Sequence, residues 1–147
     1  MENFGFDVAD TARLMRRDFD RRAAALGVTR AQWRVLSRLS RRDGQRQVDL
    51  ADALDLEPIT LCRIVDRLEE ARLVERRRDD SDRRAWNVCL TPTARPLISE
   101  LQALGQAFHE EALAGVSVEE KEAVRQVLAR VRENLAKPQA VSGRRAS

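Results

Sequence analysis

The chain has no tyrosine, its aromatic content is only 4%, and histidine occurs once, at position 109. A core must therefore come from Leu, Val, Ile and Ala, and histidine-based catalysis has a single candidate. His109 stands beside Glu110 and Glu111 on a helical stretch, with no serine or cysteine at a spacing that pairs nucleophile and base. No glycine-rich phosphate loop follows a strand, and the acidic pairs Asp79/Asp80 and Glu119/Glu120 fit a turn and a helix start. The expectation is a protein that is not an enzyme.

Long apolar runs are missing too, so no membrane span is expected, and the acidic start MENFGFDVAD lacks a signal-peptide core. Both features lead to the expectation of a cytoplasmic protein. Cys62 and Cys89 do not form a metal-ligand spacing with His109, and a reducing cytosol disfavours a structural disulfide. Neither a metal nor a cofactor is expected. Only four prolines and six glycines, beside 35% charged residues, favour helices joined by short loops over a sheet-rich fold. Lysine is scarce as well: of 27 basic residues only Lys121 and Lys137 are lysines. Guanidinium is the better group for bidentate contact to phosphate or guanine. With a pI near 9.5 despite a net charge of +3, the arginine excess leans toward an anionic partner.

What is present is concentrated between Gln47 and Thr91. Leu50, Ala51 and Leu54 form the inward stripe of a short helix, and Leu61, Ile64, Val65 and Leu68 that of a second. The other side of the second helix carries Thr60, Arg63 and Arg67, with Pro58 suited to its first turn. Arg63 suits a guanine edge in a major groove, and Arg67, one turn later, suits phosphate. Trp86, Val88 and Leu90 then alternate with Asn87 and Cys89 beyond a turn-rich tip, the period of a hairpin. This wing bears Arg76, Arg77, Arg78, Arg83 and Arg84, and a narrow minor groove attracts arginine. Acidic residues from Asp66 to Asp82 are interleaved with them and could instead cancel the field.

The segments LEPITLCRIVDRLE, SDRRA followed by VCLT, and LAGVSVEE resemble the MarR family of transcriptional regulators, nearest its SlyA branch. The resemblance implies a mainly α winged helix-turn-helix with a two-stranded β wing and dimerisation helices from both chain ends. It also implies that the Asp and second Arg of the wing motif, here Asp82 and Arg84 around Arg83, work together, the carboxylate fixing the arginine that enters the minor groove. Arg72 departs from the family pattern, which usually has a glycine there, at a position suited to a left-handed backbone.

Elsewhere, apolar positions from Val8 to Leu26 recur at helical spacing before Gly27, and Thr29 with Gln32 has capping-box spacing ahead of Trp33, Leu36 and Leu39. Thr91 and Pro92 suit an N-cap and first position of a long helix, Gly115 interrupts it, and Ser117 with Glu120 caps a last helix carrying Val124, Leu128, Val131 and Leu135. Residues 1–137 are thus expected to form one unit, with dimerisation helices at about 7–26 and 92–136 and a reading head at about 29–91. A polar tail, 138–147, is expected to be disordered, with Arg144 and Arg145 able to touch phosphate. A homodimer would favour a near-palindromic duplex with half-sites about one turn apart. The resemblance further implies control by a small aromatic carboxylate or phenol, for which Trp33 offers an apolar face and Arg16 a cation. Two alternatives remain open: a winged-helix module binding acidic protein or RNA, and a thiol-based redox sensor acting through Cys62.

Overall fold

A computed structural model describes residues 3–137; the expected tail, with Arg144 and Arg145, lies outside them. The described residues divide into two compact units, one ending at Ala112 and one beginning at Leu113. No helix among them is long and apolar enough to cross a membrane.

In the first unit, α1 (Phe4–Ala24) is capped by Asn3, whose side chain accepts from the Gly5 amide. It starts earlier than its apolar repeat and stops two residues short of Leu26, where Gly27 at φ 74° turns the chain. Helix α2 (Arg30–Arg41) opens on the expected capping box: the Gln32 amide donates to Thr29 Oγ1 at 3.2 Å and the Thr29 amide to Gln32 Oε1 at 3.1 Å. Its Val35, Leu36 and Leu39 are fully buried. They meet Leu50 of α3 (Gln47–Ala53) and Leu61, Val65 and Leu68 of α4 (Pro58–Glu70) in one cluster. Asp55, at φ 55°, makes the left-handed turn between α3 and α4. Arg34 of α2 donates to the Leu54 carbonyl at 2.9 Å, satisfying an end group of α3.

The wing strands β2 (Val74–Arg78) and β3 (Trp86–Leu90) pair antiparallel, with Val74 opposite Leu90 and Arg78 opposite Trp86. A third strand, β1 (Gln45–Arg46), pairs with the other edge of β3, so the sheet order is β1-β3-β2. Two residues are too few to show a period of two, so the sequence predicts no strand there. The side chain of buried Gln45 donates to the Arg42 carbonyl at 2.6 Å, which ties β1 to the end of α2.

Arg72 does adopt the left-handed conformation, at φ 61°, despite having a Cβ. Thr91 holds it from outside: its hydroxyl donates to the Arg72 carbonyl at 2.5 Å and its amide to the Leu73 carbonyl at 3.1 Å. This employment of the Thr91 side chain explains a second difference. Pro92–Ala94 forms a 3₁₀ turn without a side-chain cap, and the α-helix, α5 (Arg95–Ala112), begins only after it.

Aromatic rings join α1, α2 and α5. Phe19 meets Trp33 edge-on at 4.7 Å between centroids and Phe108 at 6.0 Å. Asp20 accepts from the Trp33 indole at 2.9 Å and pairs with Arg30. Burial works against its charge, but these partners outweigh it and lower its pKa.

The second unit holds α6 (Val118–Ala136), opened by the capping box of Ser117 and Glu120. None of its residues is buried, and Val118, Val124, Val127 and Leu135 are exposed.

Candidate nucleic-acid interface

Pro58 occupies the first turn of α4, where its missing N–H leaves nothing unsatisfied. Because Leu61, Val65 and Leu68 anchor one side in the core, Thr60, Arg63 and Arg67 stand exposed on the other. Exposed Ile59 lies beside them and was not singled out from sequence; such a side chain suits contact with a thymine methyl. The signal was its place in the first turn of α4, outside the apolar repeat.

The wing tip is folded around one carboxylate. Asp79 Oδ1 accepts from the Ser81 hydroxyl at 2.6 Å, the Ser81 amide at 2.9 Å and the Asp82 amide at 3.0 Å, and the Arg46 guanidinium meets the same carboxylate. The Ser81 hydroxyl and Arg46, with these amides, hold the Asp79 carboxyl well below the usual carboxylate range. Arg78 braces the tip from its base, donating to the Arg83 carbonyl at 2.6 Å while its guanidinium stacks on Trp86 at 4.2 Å. Asp82 accepts from the backbone amide of Arg84 at 3.1 Å. In this structure the carboxylate therefore shapes the chain at Arg84 and leaves its guanidinium exposed.

The arginines sort into two sets. Arg76 is only 16% exposed and is encircled: it meets Asp66 at 2.7 Å, Glu69 at 3.1 Å, Gln47 at 3.0 Å and the Cys62 carbonyl at 3.1 Å. Burial alone would lower its pKa, but Asp66 and Glu69 raise it above the ordinary arginine value. Arg77 pairs with Glu75, and Arg46 with Asp79. By contrast, among the described residues Arg63, Arg67, Arg83 and Arg84 form no ion pair. The interleaved acids thus pair with the arginines of the wing base, whereas the guanidinium groups of Arg63, Arg67, Arg83 and Arg84 stay free, those of the tip beside the likewise unpaired Asp80 and Asp82.

Arg16 and Trp33 line a common cavity of about 390 Å³ between α1, α2 and α5, together with Phe19, Leu101 and Phe108. Arg16 is exposed and Trp33 half-buried. No Cβ contact closer than 3.8 Å, to Phe19, would meet a side chain added at Gly105 on its wall.

A helix pair packed on a shared core, an exposed basic helix face and a braced basic hairpin define a winged-helix DNA-binding regulator of transcription. The MarR family model matches residues 28–86, from the loop before α2 to the first residue of β3. The transcriptional regulator PA3341 is similar over 90% of this chain and 98% of its own, with 39% identity and a TM-score of 0.84. A MarR-family regulator from Silicibacter pomeroyi is 27% identical over 92% of this chain and 91% of its own, with a TM-score of 0.80. The transcriptional regulator SlyA shares the fold, with a TM-score of 0.79 at 23% identity over 91% of this chain and 94% of its own. The chain belongs to the MarR family.

Proposed function

We propose that the chain is a homodimeric, sequence-specific DNA-binding regulator working in the cytoplasm, in which each protomer lays α4 in a major groove and its wing tip in the neighbouring minor groove. The observation that carries the reading is the split among the arginines: those on the α4 face and at the tip are unpaired, and those at the wing base are consumed internally. Thr60 and Arg63 then read base edges, Arg67 touches phosphate, and Arg83 and Arg84 enter the minor groove. Pro58 sets the start of the reading helix, and Asp82 sets the backbone from which Arg84 extends. A place beside SlyA within the family belongs to the same proposal and is supported by the wing sequence SDRRA and VCLT.

The dimer is supported by α6, whose apolar side chains find no buried place among the described residues. Packing such stripes against those of a second copy would remove them from water. The effector proposed is a small aromatic carboxylate or phenol in the Arg16–Trp33 cavity, a volume within the usual range of small-molecule sites. It lowers operator affinity only by binding the DNA-incompetent dimer more tightly.

Selection from a randomised duplex pool tests the reading. The expected product is a near-palindrome with half-sites about one DNA turn apart. Recovery of duplexes without common sequence would instead favour a general polyanion-binding module. A second reading, thiol-based control, draws on one contact: Cys62 Sγ lies 3.6 Å from Arg76 Nη2 at the wing base. Peroxide treatment that leaves duplex binding intact would remove it.

A further inference from the structure

A second cavity, of about 480 Å³, adjoins the first, and Ser40, Ile98 and Gln102 line both. The two differ in chemistry. Phe19, Trp33, Leu101 and Phe108 give the first an aromatic and aliphatic wall. The second is lined by Asp43, Arg77, Thr91, Arg95 and Ser99, a set of hydroxyl and charged groups at the junction of the wing and α5.

Within the second cavity Arg77 and Arg95 are the cations, and Asp43 is a carboxylate that forms no ion pair among the described residues. Arg77 is paired with Glu75, and Asp43 Oδ1 accepts from the Leu90 amide at 2.8 Å. Arg95 is exposed and forms no ion pair among the described residues, so it is the cation left for an anionic head group. Helix α5 lines both cavities, and at 1.5 Å of rise per residue Arg95 and Gly105 are roughly 15 Å apart along its axis.

We infer that the two cavities form one site for an elongated amphipathic anion: an aryl body lies in the first, a chain crosses at Ser40, Ile98 and Gln102, and a terminal carboxylate reaches Arg95. This deepens the effector reading above and rests on it for the first cavity. It adds a physical route to the wing. The head group sits against Leu90 and Thr91, and Thr91 is the residue that bonds both the Arg72 carbonyl and the Leu73 carbonyl at the root of β2. A ligand there presses on the connection that sets the wing relative to α5, whereas a ring acid confined to the first cavity does not reach it.

Calorimetry on the full chain tests this with three probes: 6-phenylhexanoate, 6-phenylhexan-1-ol, which lacks the anionic head, and benzoate, which lacks the reach. The expected result is that 6-phenylhexanoate binds at least about tenfold more tightly than either of the others. Arg95→Ala lowers its affinity about tenfold and leaves benzoate unchanged, while Arg16→Ala weakens benzoate. Equal affinity for benzoate and 6-phenylhexanoate, with Arg95→Ala shifting neither, would overturn the two-cavity site and leave the short aromatic anion standing. Absence of binding by all three probes, with duplex binding intact, would overturn both ligand readings and not the DNA-binding one.

Discussion

Arg76 and Arg84 lie in one hairpin, and the same chemical group serves opposite ends in them. At the wing base, Arg76 is enclosed by Asp66, Glu69, Gln47 and the Cys62 carbonyl, so it fastens β2 to the back of α4. At the tip, the Arg84 side chain is exposed, and only its backbone amide is held, by Asp82. The lesson is that net charge says little about where a polyanion docks. What matters is which guanidinium groups the protein has left without a carboxylate. Desolvating an already satisfied arginine gains nothing from DNA, while an exposed one exchanges water and counterions for phosphate or base edges.

The contrast can be broken most visibly at Arg76. Arg76→Ala removes the guanidinium that bonds Gln47 and the Cys62 carbonyl and pairs with Asp66 and Glu69, while the backbone amide at 76 still donates to Glu69, and is expected to cost about 1–3 kcal/mol of stability, read from urea unfolding. A midpoint equal to that of the parent would place Arg76 with the free set. Arg63→Ala should do the reverse: unfolding within about 0.5 kcal/mol of the parent, but a loss of about 1–3 kcal/mol per half-site on the selected duplex and much less on random duplex. Equal losses on both duplexes would make Arg63 a phosphate contact. Arg84→Ala should weaken both duplexes and reduce the salt slope by about one per half-site. Asp82→Ala should weaken binding by loosening the backbone at Arg84, and parent-like binding would show that the tip does not need it.

Two smaller effects sharpen the account of the hairpin. Arg72→Gly removes a left-handed strained residue and is expected to stabilise by up to about 1 kcal/mol in thermal unfolding. Asp79 supplies a pH dependence. Its carboxyl is depressed in the folded state, so its contribution is fully present above the ordinary carboxylate pKa, about 3.9, and is lost as pH falls through the lower folded value. Asp79→Asn should flatten the acid limb of the stability profile, and an unchanged limb would assign that limb to other carboxylates.

The apolar stripes and capping boxes were legible in the sequence because burial and end groups impose periods and fixed offsets. Leu61, Val65 and Leu68 are fully buried as their spacing required, and Thr29 with Gln32 closes its box. Within the run Arg76, Arg77 and Arg78, however, composition cannot distinguish an enclosed guanidinium from a free one. A clue existed: Arg76 lies two residues from Val74 in a strand and so shares the core-facing side, near the acidic end of α4. Strand β1 left no such trace, since it is defined only by its partner β3. The bond that the Arg84 backbone amide donates to Asp82, likewise, is a matter of tip geometry that sequence spacing does not specify.

The most direct test of the central claim is fluorescence anisotropy of the full chain on the selected duplex in the presence of excess random duplex, for the parent and for the Arg63→Ala, Arg84→Ala double variant. The parent is expected to hold the selected duplex against the competitor, and the double variant to lose it while unfolding at the parental midpoint. A parent equally displaced by random duplex, or a double variant that binds as the parent does, would contradict it.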